Sequence, residues 1–487
     1  MSFVSLEFFV LFSVTVPLYF MVPSKLRIAY LLVISCVFYS VGSISYLLLL
    51  FLSTTVDYFL ARVMAPAQEP RRRTYLILSL AVNLGTLGAF KYFDFFARSV
   101  NSLHLPVIIG ELSWLMPIGL SFYTFAKIGY IVDVYRGRQK PEENFALFAA
   151  FVSFFPNLAA GPIERAGHLI PQLRSLKSFD ENRLTHSLML ILLGLFKKVV
   201  IADHLAIYVN QVFNQPYQYS GLVLLTAVIF LSFQIYTDFS GYTDIARGIA
   251  LLFGIELFQN FRQPYFALTV QDFWRRWHMS LTNWIREFLF FPLARFLLKA
   301  TNRRYPRVAE ASTYLIVMTL IGLWHGANWT FVIWGMLHGL YMVIETLSNM
   351  LHIRVFPTHR WGMIAKGVFV FSLVSFAWIF FRANSLSDVG YIVSHMFHFA
   401  AQDDSLRQSF QIYLSRFNSI ELEILVCFGL ILGTMVLDWI ESKWGLVALI
   451  QRTPLLVRWA IYYTAIVSIY LAMSSVTSSQ QFIYFQF

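Results

Sequence analysis

The residue with the clearest chemical potential is His325, set in Gly322-Leu-Trp-His-Gly-Ala-Asn-Trp329 between the apolar runs Leu315 to Leu323 and Phe331 to Trp334. A second histidine, His338, follows in Met336-Leu-His-Gly-Leu340. Ionisable side chains at bilayer depth are costly and mark function by default. Imidazole titrates near neutrality and suits a general base that activates an incoming hydroxyl, a role worth roughly 10²- to 10⁴-fold. The plain alternative is a histidine satisfied by a hydrogen bond between helices. Two further blocks carry polar groups in apolar surroundings: Tyr236 to Arg247, with Asp238 and Asp244, and Gln271 to Glu287, with His278 among Trp274, Trp277 and Trp284. Holding helix ends is an equal reading for the two aspartates. Metal chemistry is disfavoured, because no His-Glu-x-x-His, cysteine pair or carboxylate-rich spacing occurs. A Gly-x-Ser-x-Gly elbow and a P-loop are also missing from the sequence.

The elements that position these residues must lie in a membrane. The 487 residues are 58% hydrophobic, 18% aromatic and only 13% charged, too little polar surface to cover a soluble protein of this size. A net charge of +11 would suggest nucleic acid in a soluble chain. Here the basic residues sit in short loops between apolar runs, which reads as a topology signal and excludes a nucleic-acid surface. Cys36 and Cys427 lie in apolar runs and form no redox or metal spacing.

A span needs about 20 apolar residues. Candidates fall at 3–22, 28–41, 45–63, 75–97, 113–133, 185–205, 221–250, from 311 onward, 367–384, 420–440 and 459–474. Lys25 and Arg27, then Arg71 to Arg73, then Arg136 to Lys140 fall in alternate loops. These clusters predict an N-terminus outside and basic loops in the cytoplasm. Continuing the alternation leaves the polar tail from Ser474 outside as well. The stretch Phe154 to Arg165 holds two prolines and a glycine, so no straight helix runs through it. It predicts a re-entrant or interfacial element, with Glu164 and Arg165 near the surface. The block 271–287 reads as an amphipathic interfacial segment, its tryptophans at the membrane–water boundary. With no repeat or linker, one domain over 1–487 is expected, ending in a tail at 475–487.

Several blocks together resemble the membrane-bound O-acyltransferases, in particular the bacterial branch of alginate O-acetyltransferase membrane subunits. They are Pro117 to Phe125, Tyr130 to Gly137, Gly161-Pro-Ile163, Lys197 to Asp203, Asp238-Phe-Ser-Gly-Tyr242 with Asp244, Phe273-Trp-Arg-Arg-Trp-His-Met-Ser-Leu281 and Leu323-Trp-His-Gly326. The resemblance implies an all-α polytopic ring of about 11 transmembrane helices, with re-entrant and interfacial helices, around a central tunnel. A cytoplasmic funnel would admit the acyl donor and an outer funnel would face the acceptor. His325 matches the family's catalytic histidine, and His278 its second histidine near the tunnel. Donor binding is expected at Arg275, Arg276, Trp324 and Asn283. The two arginines suit phosphates by charge, and ordinary positive-inside flanking explains them equally. Where relatives show Phe-Arg-Asp, this chain has Trp284-Ile-Arg-Glu287.

The tail Phe482-Ile-Tyr-Phe-Gln-Phe487 has two readings. One is an interfacial aromatic anchor. The other comes from a resemblance to the C-terminal motif of the small partner peptide in teichoic-acid D-alanylation, which makes Tyr484 an acyl relay. The expected function is O-acylation of an extracytoplasmic polysaccharide from the bacterial inner membrane. The donor would be acetyl-CoA or an acyl-carrier thioester, with no bound cofactor. A periplasmic or surface SGNH-type acetyltransferase partner (Ser-Asp-His hydrolase-like) would complete the transfer, because this chain has no large outside domain. A D-alanyl or lipid substrate is the alternative within the family. A transporter is the alternative outside it, disfavoured by the lack of an inverted repeat or paired broken helices.

Overall fold

The computed structural model describes residues 3–41, 43–106, 108–353, 355–398, 420–475 and 482. Among these, regular structure is entirely helical, as expected. The helices are α1 (Leu6–Met21), α2 (Arg27–Ser40), α3 (Ile44–Met64), α4 (Arg71–Leu87), α5 (Phe93–Asn101), α6 (Leu120–Tyr135), α7 (Phe145–Ser153), α8 (Phe155–Leu158), α9 (Ala166–Arg174), α10 (Glu181–Leu195) and α11 (Asp203–Asn214). There follow α12 (Gly221–Leu252), α13 (Val270–Arg276), α14 (Met279–Ile285), α15 (Phe291–Ala300), α16 (Pro306–His325), α17 (Trp329–Met350), α18 (Arg360–Arg382) and α19 (Leu386–His395). The last are α20 (Ile420–Trp444), α21 (Leu446–Arg452) and α22 (Leu455–Ser475). Eight helices among the described residues are long and apolar enough to cross a membrane, counting α4 and α5 as one through the π-helical turn Gly88–Tyr92. Other expected spans take shorter or broken forms. At 1.5 Å per residue, the 14 residues of α2 reach about 21 Å, less than a hydrocarbon core of about 30 Å. The candidate at 185–205 is interrupted by the π-helical segment Phe196–Ala202.

The chain divides into two compact units, one of residues 1–191 with 242–259, the other of 192–241 with 260–487. The first is held together by polar groups inside apolar helices. Asp57 of α3 accepts hydrogen bonds from Ser79 (2.5 Å) and Asn83 (2.8 and 3.0 Å) of α4, and pairs with Lys127 of α6 at 3.4 Å. Both charged side chains are buried. A buried carboxylate is tolerated only when its lone pairs are met, and two other helices, α4 and α6, meet them.

The irregular stretch at 154–165 occurs as expected: α7 stops at Ser153, α8 is a single turn, and extended backbone leads to α9. One expectation fails there. Glu164 is buried, accepting from His168 Nδ1 at 2.7 Å and from the Phe258 amide at 2.7 Å. Desolvation raises its pKa, and the hydrogen bond to Glu164 raises that of His168. Glu164 is therefore an internal tie between α9 and the segment after α12, whereas the prolines around it read as surface.

In the second unit, α13 and α14 form a short angled pair, and their tryptophans correct a further expectation. Trp274, Trp277 and Trp284 are all buried, packed in protein. Trp277 stacks on Phe273 at 5.3 Å and meets Trp378 of α18 at 5.1 Å. Tryptophans interleaved with polar and charged residues look interfacial in sequence; here the surrounding protein covers them.

Removing one partner of the buried network should expose its cost. Lys127→Met is expected to destabilise the protein by about 3–5 kcal/mol, read as a lowered thermal midpoint in detergent, with Asp57→Asn in the same chain restoring part of the loss. An unchanged midpoint in Lys127→Met would show that the pair holds nothing together.

Candidate active site

The site begins with two helices that approach more closely than side chains permit. α16 ends at His325; Gly326 turns extended, and Asn328 caps α17 by accepting the Thr330 amide proton at 3.1 Å. A Cβ on Gly322 would stand 2.2 Å from the Phe331 carbonyl oxygen, and one on Gly335 2.2 Å from that of Met318. At Gly326 a Cβ would enter the Phe331 ring at 2.3 Å. The glycines of Gly322-Leu-Trp-His-Gly326 and Gly335-Met-Leu-His-Gly339 therefore set the separation of the hairpin, as small residues do between membrane helices. His325 is fixed where that hairpin closes.

Around His325 lie rings from three helices: Trp324 at 4.8 Å, Trp334 of α17 at 5.0 Å and Phe381 of α18 at 5.5 Å between centroids. His278 joins the same cluster. Its ring stands edge-on to Phe239 of α12 at 4.8 Å and 6.2 Å from Trp324. Trp324 thus contacts both predicted histidines, and the structure brings together residues 47 positions apart in sequence. Both are buried, His278 completely and His325 with 6% of its surface exposed. Burial pushes His278 down from an ordinary value near 6.5 to about 3, so it stays neutral through the physiological range. A neutral imidazole suits orienting and hydrogen bonding.

His278 occupies a left-handed backbone conformation, φ 43° and ψ 53°, unusual for a residue with a side chain. It holds this as the residue between α13 and α14. Asn260 faces it across the turn, its carbonyl accepting from Met279 N–H at 2.9 Å and its Oδ1 from Ser280 N–H at 3.1 Å. The Arg262 amide donates to the Arg276 carbonyl at 2.9 Å. Nothing in the sequence around Asn260 signals this role.

The remaining expected residues divide. His338 is buried, and its Nδ1 accepts from Trp274 Nε1–H at 3.3 Å. The helix-tying hydrogen bond weighed as the alternative for a buried histidine is found here. Arg275 and Asn283 are exposed, Trp324 is buried against both histidines, and Arg276 is engaged by Asp272 at 3.0 Å. Asp238 pairs with Lys198 at 2.8 Å, as does Asp203, all three buried. The π-helical segment carries Lys198 to that position. Asp244 pairs with Arg247 at 3.4 Å. Both aspartates therefore have ionic partners close by. Asp438 went unread in the sequence although it is a carboxylate within the apolar run 420–440; it accepts from the Tyr236 hydroxyl at 2.8 and 2.9 Å. Phe482 is buried with its ring 5.8 Å from Phe239. Tyr484 lies outside the described residues.

Residues 143–386, which contain both histidines, match the family model of the membrane-bound O-acyltransferases, MBOAT. The chain belongs to that family. It is 36% identical over 389 residues to an Azotobacter vinelandii protein named "Probable alginate O-acetylase AlgI", across 78% of this chain and 75% of the relative. It is 33% identical over 384 residues to the peptidoglycan O-acetyltransferase of Helicobacter pylori, across 73% and 71%. With the teichoic acid D-alanyltransferase of Streptococcus thermophilus it shares 29% identity over 301 residues, across 57% and 70%. As a membrane-bound O-acyltransferase the chain is an enzyme, and its helices place it among membrane proteins.

The hairpin gives a direct test. Gly322→Ala is expected to lower stability by about 1–3 kcal/mol and to reduce acyl transfer, because the added methyl overlaps a carbonyl. Gly429→Ala and Gly433→Ala in α20, where a Cβ meets open space, should be neutral or stabilising by up to about 1 kcal/mol. Thermal midpoints and transfer rates of the three variants check this; equal behaviour would remove the close approach as the determinant.

Proposed function

We propose that this membrane-bound O-acyltransferase takes an acetyl group from a cytoplasmic thioester, acetyl-CoA or an acyl carrier, and passes it across the inner membrane for O-acetylation of an extracytoplasmic polysaccharide. The observation that carries the reading is that Trp324 meets both His325 and His278, which gathers two imidazoles into one buried aromatic cluster. His325 removes the proton from an attacking hydroxyl, whose oxygen adds to the thioester carbonyl. The C–S bond then breaks, and the departing thiolate takes the proton back from His325. Imidazole serves both steps because its two protonation states are close in energy near neutral pH.

The relatives named for alginate and peptidoglycan acetylation match more of this chain, at higher identity, than the named D-alanyltransferase does. That supports acetyl over D-alanyl as the group moved, and a polysaccharide as its destination. Tyr484 is the proposed attacking hydroxyl. Phe482, two residues before it, is buried against Phe239, the ring that also meets His278. The acetyl ester formed on Tyr484 would pass to the serine of an SGNH-type partner outside the membrane. In this orientation both termini are extracytoplasmic, and Arg275, Arg276 and Asn283 meet the donor on the opposite side.

Membranes containing the full chain, incubated with radiolabelled acetyl-CoA, test the reading through acid-precipitable label. His325→Ala is expected to lower labelling by roughly 10²- to 10⁴-fold, and Tyr484→Phe to abolish transfer by removing one hydroxyl. Undiminished labelling in His325→Ala rejects the proposal. A silent Tyr484→Phe makes the tail an anchor, and label from a D-alanyl carrier alone reassigns the donor.

A further inference from the structure

His278 stands as the N-cap residue of α14, yet its side chain makes no capping hydrogen bond. Helix starts leave amide protons that need an acceptor, and the N-cap side chain ordinarily supplies one. Here the acceptor comes from elsewhere. Asn260 Oδ1 takes the Ser280 amide proton, and the Asn260 carbonyl takes that of Met279. These are the two amides that directly follow His278.

Two consequences follow. The imidazole is released from capping and turned toward Phe239 and Trp324. The left-handed backbone of His278 is also held from outside, because both amides after it are anchored to one residue. Sparsely populated backbone conformations persist only where the surroundings over-determine them, and they concentrate at functional sites. Asn260 is 1% exposed, and its Nδ2 finds no hydrogen-bond acceptor among the described residues. A residue chosen only for stability would not leave a buried donor unmet. Its acceptor oxygen is what the turn uses.

We propose that Asn260 is a positioning residue for the acyl-transfer reaction: it caps α14 in place of His278 and thereby aims the His278 imidazole at Trp324, the ring it shares with His325. The inference rests on the function proposed above. Asn260 acts through His278 and has no contact of its own with the reacting atoms.

A double-mutant cycle with radiolabelled acetyl-CoA on membranes of the full chain tests it. Asn260→Ala is expected to lower kcat on the order of 10²-fold, the usual penalty for slight misplacement of a catalytic group, with KM for acetyl-CoA little changed. In a His278→Ala background the same substitution should add no further loss. Asn260→Asp, which keeps a side-chain acceptor for the Ser280 amide, should recover most of the rate. Thermal midpoints separate the effect from unfolding, and if Asn260→Ala does not accumulate, Asn260→Ser serves in the same cycle. Wild-type turnover in Asn260→Ala, an equal loss with and without His278, or no effect of His278→Ala overturns the inference. His325→Ala distinguishes the failures. If it retains activity, the proposed function falls; if it is inactive while Asn260→Ala is fully active, only the role of Asn260 falls.

Discussion

Where α16 passes α17 there is no room for a side chain. Gly322 and Gly335 each bring a backbone carbonyl of the other helix to within 2.2 Å of where a Cβ would be. In lipid, with little hydrophobic drive between helices, such backbone proximity supplies the packing that holds them. It also fixes how α16 ends. Gly326 turns the chain out, His325 is the last helical residue, and the rings of Trp334 and Phe381 close around it. The helix α18 packs against this hairpin through α17.

Polar groups inside apolar helices do two kinds of work here. Most are satisfied and structural: Asp57 with Lys127, Lys198 with Asp203 and Asp238, Asp438 with Tyr236, His338 with Trp274. Each joins segments distant in sequence, and each would be costly if one partner were lost. His278 and His325 share another setting, with aromatic rings beside each and Trp324 in common. A dry aromatic surround strengthens any charge that develops beside them. The family's chemistry fits that environment.

The helical class was legible in the sequence, because apolar runs of membrane length are local signals. The family was legible for the same reason, in short blocks such as Phe273 to Leu281. What failed to show depends on distant partners. Glu164 sits in a proline-rich stretch that resembles surface, but its acceptors are used by His168 and by Phe258, 94 residues away. The tryptophans of 274–284 resemble an interfacial belt, yet all three are buried, Trp274 against α17 and Trp277 against α18. His338 looked like a second catalytic candidate until Trp274 supplied its partner. Asn260 carries no local mark at all, since its role exists only in the fold.

The central claim is that His325 drives acyl transfer from a thioester on the cytoplasmic face. It is tested most directly with the full chain sealed in vesicles of known orientation, with radiolabelled acetyl-CoA supplied to one face at a time. The account predicts acid-stable label on protein or acceptor only when donor meets the face bearing the basic loops Arg71 to Arg73 and Arg136 to Lys140, and none in His325→Ala. Equal labelling in His325→Ala, or labelling only from the opposite face, would contradict it.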